Sequence, residues 1–593
     1  MPCQPRVLSL ALLMTCLASA ACAQNGSGSA PSPGSQSNPQ QPGVTIHMGS
    51  SGKATTQTVT PTAPPPTASG IMPALAAANQ LFAERKIPEA AARYQAIVKA
   101  DPKVAPAQVG LMRCYLMLQK IDEAQAAASS AIAILPTAPQ VLTTAADVQF
   151  RAGKIPEAER LYTKSISLSA NDPEPFIGLS HIYKAETLNR RAYDSMKRAH
   201  EVAPDNAPVQ LLYFHSLPLS DQIPELESYL AKPNLTPQVV RTLQQYLTSL
   251  KKNASLPAHA CKLVTNVQQT DTKLNPIARN GTALGGVGLD VKINKQEVHL
   301  ALDTGATGVL LGRAAAEKLG LQRLGYQPII GMGDAGTQGG FTAVADRVRI
   351  GDLEFQDCVV KVTDQATPVT GQDGLIGADV FSSYLIDIDI PSAKLRLSPL
   401  PQRPNEAAQP AALQTMTQDS DESGGEATPA GKNGSTPTDL PKDAYIAPSM
   451  TSWTKVYRFR SLLLVPTLVD RTGPMLFLID TGSFSNVLST RAAKQVTQIE
   501  SDPNMQIRGM SGSVSKVYRA DKATLQFGRY EQQNQDIITF DVSPVTRQTG
   551  TEVSGILGFN MLRILQVKID YRDGLVDFLY DPKHLPKQVR LGK

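Results

Sequence analysis

The sequence has few of the residues that usually build metal centres. It has seven His and six Cys among 593 residues, and neither type recurs at the spacing of a zinc site. The formal net charge is only +5 and no run of Lys or Arg stands out, so the charge does not indicate nucleic-acid binding. Beyond the N-terminus, no stretch is long and apolar enough to span a bilayer. We therefore expect no metal, no cofactor, no nucleic-acid partner and no membrane span.

Residues 1–23 have the pattern of an export signal. Arg6 is followed by a mostly apolar stretch, 7–17, and then by small residues. That stretch is too short for a membrane-spanning helix. Ala21-Cys22-Ala23 fits a small-x-small cleavage site, and lipid attachment at Cys22 is the alternative, although Ser19 stands where Leu is preferred. We predict an exported protein, periplasmic or secreted, either soluble or anchored to the envelope.

Three cysteines remain after the predicted signal: Cys114, Cys261 and Cys358. An odd number excludes a complete disulfide framework. Cys261 and Cys358 fall in one predicted domain, where they either form a disulfide in an oxidising compartment or remain two buried thiols.

Two segments, 24–70 and 401–445, are poor in hydrophobic residues and rich in Ser, Pro, Gln and Gly. Such segments bury too little apolar surface to offset the conformational entropy lost on folding. We predict a disordered linker at each. The rest of the chain after the signal is then a helical region, 71–252, and two β-rich regions, 256–400 and 446–585.

The helical region has an internal period of 34 residues. Lys86-Ile-Pro-Glu-Ala90 recurs at Lys120–Ala124 and Lys154–Ala158, and in weaker form at Leu188–Ala192. The Ala at the end of each copy lets two helices approach closely. This pattern resembles the tetratricopeptide repeat, although the Trp and Gly common in that family are absent. The resemblance implies stacked helix pairs whose concave surface binds a protein partner.

The two β-rich regions are copies of one plan. An apolar run precedes Asp303-Thr304-Gly305-Ala306 in the first region and Asp480-Thr481-Gly482-Ser483 in the second. In both regions a Gly-rich hairpin candidate follows, then two apolar residues with a Gly, then a final strand pair. The shared order indicates a duplication. The hairpin candidates are Gly331-Met332-Gly333 and Gly509-Met510, and the glycines after the apolar pairs are Gly377 and Gly558.

These motifs resemble the retropepsin-like aspartic peptidases, present here twice in one chain over about 270 residues. The resemblance implies that Asp303 and Asp480 share one site, one from each lobe. Two adjacent carboxyl groups hold a single proton and a water between them, so the ionised group takes a proton from water while the other polarises the scissile carbonyl. The pair titrates as a unit, and neither Asp receives a fixed role. The predicted fold class is multidomain: an α-helical tetratricopeptide-like solenoid followed by two mostly-β retropepsin-like lobes.

The same resemblance gives supporting roles to the residues around each Asp. Thr304 and Thr481 are expected to hydrogen-bond across the two lobes and so fix the carboxyl groups. Gly305 and Gly482 are expected to let the chain turn sharply behind them. The other supporting positions are Ala306 and Ser483 in the two turns, and Gly377 and Gly558 in the loops packed against them.

In this family a β-hairpin flap closes over an extended peptide that binds through main-chain hydrogen bonds. The stretches Gly331–Gly336 and Gly509–Gly512 are the flap candidates, and ordinary hairpin turns are the alternative. Main-chain recognition tolerates many sequences, so we predict no preferred side chain.

One position departs from the family pattern. Phe484 follows Ser483 where the family usually has Ser or Thr, and Thr307 holds that place in the first region. Phe484 either packs harmlessly or alters the surroundings of the second carboxyl group.

The predicted linker at 401–445 joins the two β-rich regions. A flexible linker of about 45 residues spans roughly 35–40 Å from end to end, which allows the lobes to pair within one chain. A homodimer built from like lobes is the alternative.

The sequence thus predicts an exported aspartic endopeptidase that acts on polypeptides and uses its helical repeats to recruit substrate or a partner protein. A non-catalytic peptide-binding protein with the same lobes, and a scaffold that acts through the repeats, are the alternatives. A glycosidase that uses the two carboxyl groups has no other support in the sequence.

Overall fold

The structure is a computed structural model that describes residues 70–255, 259, 261–279, 283–365, 371–404, 441–505 and 507–584, together with two earlier strands. Those strands, β1 (Val44–Met48) and β2 (Ala54–Thr58), pair antiparallel. The predicted signal at 1–23, with its possible lipid site at Cys22, lies outside the described residues. So do most of the linker at 24–70 and residues 405–440 of the second linker.

The internal contacts of the chain define two compact units: residues 1–149 with 160–170, and residues 150–159 with 171–593. Among the described residues no helix is both long and apolar enough to cross a bilayer. The helices before the lobes are α1 (Ile71–Ala83), α2 (Ile87–Ala100), α3 (Ala105–Met117), α4 (Ile121–Ile134), α5 (Pro139–Arg151), α6 (Ile155–Leu168), α7 (Glu174–Ala185), α8 (Asn189–Val202), α9 (Ala207–Ser216), α10 (Leu219–Leu230) and α11 (Pro237–Ala254).

The alanine that ends each copy of the repeat is buried, as its small size predicts. In the first unit Ala90 and Ala124 are completely buried, and in the second Ala158 and Ala192 are buried as well. Helices such as α2 begin with Pro at their first turn, where its missing N–H has no intrahelical partner to lose. A free, buried Cys114 lies in α3.

The first β-rich region folds into a closed barrel. Its six strands follow the order β11-β8-β12-β7-β6-β10, and the pairing of β10 with β11 closes the ring. The Cys261–Cys358 disulfide, one of the two sequence-based alternatives, lies in this lobe. The elements of the lobe are β3 (Lys262–Leu263), β4 (Thr270–Lys273), β5 (Asn275–Arg279), β6 (Ala283–Ile293), β7 (Gln296–Asp303), β8 (Val309–Gly312), α12 (Arg313–Lys318), β9 (Gln322–Tyr326), β10 (Gly340–Ile350), β11 (Leu353–Thr363), β12 (Gly374–Gly377), β13 (Tyr384–Asp389) and β14 (Lys394–Pro399).

The second β-rich region repeats that barrel strand for strand. Its order is β24-β19-β25-β18-β17-β23, closed by the pairing of β23 with β24. The elements of this lobe are β15 (Thr454–Lys455), β16 (Tyr457–Phe459), β17 (Leu462–Val469), β18 (Thr472–Asp480), β19 (Val487–Ser489), α13 (Thr490–Val496), β20 (Ile499–Ser501), β21 (Ile507–Gly509), β22 (Gly512–Val514), β23 (Val517–Phe527), β24 (Tyr530–Phe540), α14 (Ser543–Thr549), β25 (Gly555–Gly558), α15 (Phe559–Leu562), β26 (Gln566–Asp570) and β27 (Leu575–Leu579).

A third sheet joins the two lobes. Its order is β15-β27-β26-β13-β14-β4, so strands that follow each barrel lie side by side. At the junction β13 and β26 are antiparallel, with Ile386 opposite Ile569. Both side chains are completely buried, so the lobes share main-chain hydrogen bonds and one hydrophobic core.

The helices of the second unit contact the second lobe close to β25. The backbone N–H of Glu552 donates to the carbonyl of Arg151 at 3.0 Å, and the Thr551 hydroxyl donates to the carbonyl of Phe150 at 2.5 Å. At the start of α8, Asp443 accepts the backbone N–H groups of Arg190 and Arg191 at 2.9 and 3.1 Å. The contacts at Thr551 and Glu552 support the segment that leads into β25.

Both described ends of the second linker are fixed at one carboxylate. Asp573, in the turn between β26 and β27, is buried. Its Oδ1 accepts a hydrogen bond from Arg403 at 2.5 Å and another from the backbone N–H of Tyr445 at 2.9 Å. Arg572 pairs with Oδ2 at 2.7 Å, so the buried charge is compensated. The chain leaves and returns at the same point, and the shared sheet rather than the linker holds the lobes together.

A cut within residues 405–440 is therefore expected to leave the two lobes associated. The test inserts a recognition site for a sequence-specific protease in this range, cleaves the purified protein, and compares it with the uncut variant by size-exclusion chromatography and thermal unfolding. Co-elution with an unchanged Tm is the expected result. Separation of the fragments without denaturant would contradict the role given to the shared sheet.

Candidate active site

The two Asp-Thr-Gly turns lie at the ends of equivalent strands. Strand β7 delivers Asp303 and strand β18 delivers Asp480. A parallel neighbour supports each strand, so that Gly377 of β12 lies opposite Asp303 and Gly558 of β25 lies opposite Asp480. The two apolar-apolar-Gly motifs thus lie beside the turns, as the resemblance implies.

The two turns are joined by a reciprocal set of hydrogen bonds. The backbone N–H of Thr304 donates to the Thr481 hydroxyl at 3.0 Å, and that of Thr481 donates to the Thr304 hydroxyl at 2.9 Å. Each hydroxyl then donates to the opposite strand, to the carbonyl of Ile479 or Leu302, at 2.8 Å. Both threonines are buried. The threonines therefore satisfy four buried main-chain groups and fix one turn against the other.

Each carboxyl group lies against the glycine of the opposite turn. A Cβ atom added to Gly305 would lie 2.6 Å from Cγ of Asp480, and one added to Gly482 would collide with the carboxyl group of Asp303. Real Cβ contacts are not this short, so only glycine fits either position. Any side chain here would push the two carboxyl groups apart.

Backbone N–H groups orient both carboxyl groups. Gly305 donates to Oδ1 of Asp303 at 2.9 Å, and Gly482 donates to Oδ1 of Asp480 at 2.8 Å. Ser483 donates to the same Asp480 oxygen at 3.1 Å. In the first turn the backbone N–H of Ala306 donates to the Asp303 carbonyl at 3.2 Å.

The surroundings favour retention of a proton by the pair. Burial raises the pKa of Asp303 well above its ordinary range, and the charge of Asp480 and a hydrogen bond between the two side chains raise it further. Burial also raises the pKa of Asp480, against the opposing effect of its bonds to Asp303, Gly482 and Ser483. Like charges this close do not both ionise readily, so the two carboxyl groups are able to share one proton.

The two flap candidates meet at their tips. Gly509–Gly512 forms the turn of the hairpin β21–β22. The stretch Gly331–Gly333 lies between β9 and β10, in a loop that is narrowed by the bridge between Ile329 and Gln338. The backbone N–H of Ser511 donates to the carbonyl of Met332 at 2.8 Å. The tips therefore touch each other across the two lobes.

Two protein families match parts of this chain, one in the lobes and one in the helices. Residues 289–380 and 465–561 match the Aspartyl protease family, and residues 81–148 match the Tetratricopeptide repeat family. The matched segments contain Asp303 and Asp480. The lobes are retropepsin-like and the preceding helices are tetratricopeptide-like. The fold class and the resemblance predicted from the sequence are confirmed.

Two individual proteins are also similar to this chain. Hsp70-Hsp90 organizing protein 1 of Glycine max is 26% identical over 179 residues, which are 30% of this chain and 29% of that protein. The chain thus matches less than a third of that relative's length. The crystal structure of an aspartic proteinase from Irpex lacteus covers 53% of this chain and 98% of its own, at 10% identity and a TM-score of 0.31.

Sequence reasoning missed one residue that supports the first retropepsin-like turn. Both oxygens of the Asp379 carboxylate accept the backbone N–H of Gly308, at 2.9 and 3.1 Å. In the second lobe the Asn486 side chain accepts the N–H of Gly558 at 2.9 Å, and so supports the loop beside the second turn. The sequence offers one indication that Asp379 matters. It lies two residues after Gly377, and the polar residue Asn560 lies at the equivalent place, two residues after Gly558.

Phe484 packs against the hydrophobic core. Its side chain is partly buried against the hydrophobic core shared by the retropepsin-like lobes, and its carbonyl accepts the N–H of Asn560 at 2.8 Å. Thr307, at the equivalent place in the first lobe, pairs with the Ser461 hydroxyl at 2.5 Å. This packing favours the harmless role over a change at Asp480.

The described residues contain no group of three or more His, Cys, Asp or Glu that could hold a metal ion.

Removal of either bridging hydroxyl is expected to destabilise the protein. Thr304→Val or Thr481→Val leaves a buried N–H and a buried carbonyl without their partner, which costs about 1–3 kcal/mol in the free energy of unfolding. Urea titration measures that change. Thr307→Val is a matched control, because its hydroxyl bonds another side chain rather than the main chain. Equal losses in all three variants would count against a special role of the bridge.

The buried pair should make stability depend on pH in a defined direction. An unfolded Asp has a pKa of about 3.9, and the folded-state pKa of Asp303 is higher. Above pH 3.9 the unfolded chain therefore loses its proton more readily, and the carboxyl group destabilises the fold by about 1.4 kcal/mol per unit of pKa difference. Asp303→Asn removes this cost, so it should raise Tm at pH 7 and have little effect at pH 3.

Calorimetry from pH 3 to 7 measures this difference in Tm. Asp346→Asn is the control, because Asp346 is an exposed carboxylate of the same lobe. A gain in Tm for Asp303→Asn that stays the same at every pH would show that the pKa of Asp303 is not raised.

Proposed function

We propose that this protein is an exported aspartic endopeptidase that hydrolyses peptide bonds in polypeptides. The observation that supports this most directly is the position of each carboxyl group against the glycine of the opposite turn. Such an arrangement brings together two groups of like charge that a structural role would keep apart. The match of both lobes to the Aspartyl protease family supports the same proposal.

The chemistry follows from one shared proton. A water held between Asp303 and Asp480 loses a proton to the ionised carboxyl group as it attacks the scissile carbon. The protonated carboxyl group donates to the carbonyl oxygen and stabilises the negative charge that develops there. The carboxyl group that took the water proton then passes it to the leaving nitrogen as the peptide bond breaks, and the proton on the former carbonyl oxygen returns to the other carboxyl group, which restores the starting pair. No covalent bond to the enzyme forms in this sequence of steps.

Compartment and recruitment are part of the same proposal. The Cys261–Cys358 disulfide supports an oxidising compartment, which fits the export signal at residues 1–23. The match to the Tetratricopeptide repeat family supports a protein-binding role for the helices. The helices recruit a polypeptide substrate or a partner protein, and the lobes bind an extended chain through its main chain.

The test compares wild type with Asp303→Asn and Asp480→Asn on an unfolded protein substrate from pH 3 to 7. Each variant should lose about 10²- to 10⁴-fold in rate, because each removes one half of the acid–base pair. Asp346→Asn should keep the wild-type rate. The proposal is wrong if either active-site variant cleaves as fast as wild type. A wild-type protein that binds the substrate without cleaving it would instead establish the non-catalytic alternative.

A further inference from the structure

The turns between the paired helices of the repeats each place one residue in the left-handed backbone region. These residues have φ between +57° and +75° and follow one another at intervals of 34: Arg85, Gln119, Gly153 and Thr187. Arg85 and Gln119 are exposed, whereas Gly153 and Thr187 are buried. The two covered turns therefore carry the smaller residues.

The second lobe covers both of these turns. A Cβ atom added to Gly153 would lie 3.1 Å from the carbonyl oxygen of Glu552 and 3.7 Å from Cδ1 of Leu476. A Cβ atom added to Gly574, in the turn between β26 and β27, would lie 3.1 Å from Oγ1 of Thr187. Two successive repeat turns therefore pack against this lobe, and small residues allow the close approach.

Arg151, the last residue of α5, bonds the second lobe through both its side chain and its main chain. Its Nη1 donates to the carbonyl of Gly550 at 3.1 Å, and its own carbonyl accepts the N–H of Glu552 at 3.0 Å. Between them, the Thr551 hydroxyl donates to the carbonyl of Phe150 at 2.5 Å. Three consecutive residues of the lobe are therefore bonded to the end of one helix.

The repeat itself does not require an arginine at this position. The residues at the same phase of the 34-residue period are Ala83, Met117 and Ala185, so the packing of a repeat accepts a small or apolar side chain here. Burial lowers the pKa of Arg151, and the negative charge of Glu552 opposes that shift. Burying a charge costs free energy unless the charge is paired and hydrogen-bonded. Arg151 therefore contributes through its bonds to the lobe rather than through the packing of the repeat.

The bonded segment leads directly into the strand beside the turn that carries Asp480. The N–H of Ser554 donates to the carbonyl of Leu476 at 2.8 Å, and β25 then continues parallel to β18 until Gly558 lies opposite Asp480. A Cβ atom added to Gly558 would collide with the carbonyl oxygen of Ser485. Because β25 fits this closely against the turn, a shift of residues 550–552 is transmitted along one short strand to Asp480.

We propose that Arg151 is a positioning residue for the reaction and holds Asp480 in place through residues 550–552 and β25. This rests on the proposed function. The helical repeats then contribute to the active site itself, in addition to recruiting a substrate or partner. Arg151 acts at a distance from the carboxyl groups, so its loss should misplace Asp480 without changing the surface that binds the peptide.

Arg151→Met removes the guanidinium and places there the side chain that Met117 provides at the same phase of the preceding repeat. With a pool of random blocked octapeptides as substrate, kcat should fall about tenfold while KM stays within about twofold. The reason is that misplacement of a catalytic group affects the transition state more than the binding of substrate. Arg151→Lys keeps a donor and a positive charge, so it should recover part of the lost kcat.

Asp443→Ala is the matched control. Asp443 accepts the N–H groups of Arg190 and Arg191 at the start of α8, so it also bonds the helices, but at a place that does not lead into β25. This variant should keep the wild-type kcat. An equal fall in kcat for Asp443→Ala and Arg151→Met would overturn the proposal, because any weakened contact of the helices would then have the same effect. A wild-type kcat in Arg151→Met would overturn it as well.

Hydrogen–deuterium exchange separates this proposal from the proposed function, because it needs no catalysis. Wild type and Arg151→Met are compared over residues 550–558, which include β25, and over β12, the counterpart of β25 in the first lobe. Faster exchange should be confined to 550–558. If wild type fails to cleave but this local change appears, the peptidase proposal fails and the coupling of Arg151 to the Asp480 turn stands. Unchanged exchange over 550–558, or faster exchange in both lobes, overturns the coupling.

Discussion

The bridge between Thr304 and Thr481 keeps close together two carboxyl groups that would repel each other if both were ionised. The Thr304 and Thr481 bridge joins the turns behind the carboxyl groups, and the junction of β13 with β26 joins the lobes beneath them. The energy needed to keep two acidic groups close thus comes from buried hydrogen bonds and shared core at a distance from them. Such a division of labour leaves the carboxyl groups free to exchange a proton.

The duplicated plan explains which parts of the site could be predicted from sequence. Each half carries its Asp-Thr-Gly turn and its apolar-apolar-Gly motif on local stretches of chain, so Asp303 could be matched to Gly377, and Asp480 to Gly558, by order alone. The parallel pairing of the corresponding strands agrees with that order. Local motifs of this kind are visible because strand, turn and glycine requirements are encoded within a few residues.

Contacts between distant segments could not be found in the same way. Asp379 bonds Gly308, which lies 71 residues away in the sequence. No local motif indicates this role, and only comparison with Asn560 in the second lobe points to it. The linker at 401–445 is long enough to span two lobes that lie apart, whereas residues near both of its ends bond to Asp573. Met510 lies in a stretch whose sequence predicts a flap, but its packing against a first-lobe cluster that includes Ala301 depends on how the two barrels are placed. Composition and period contain no information about such pairings.

The two halves have diverged at matched positions: Thr307 stands against Phe484, and Asp379 stands against Asn560. A symmetric homodimer has a single gene for both sides, so every substitution appears twice around the twofold axis. Because both lobes belong to one polypeptide here, a mutation changes only one of the two turns. The covalent link thereby lets selection refine the surroundings of Asp303 and of Asp480 independently, so the two carboxyl groups need not remain equivalent.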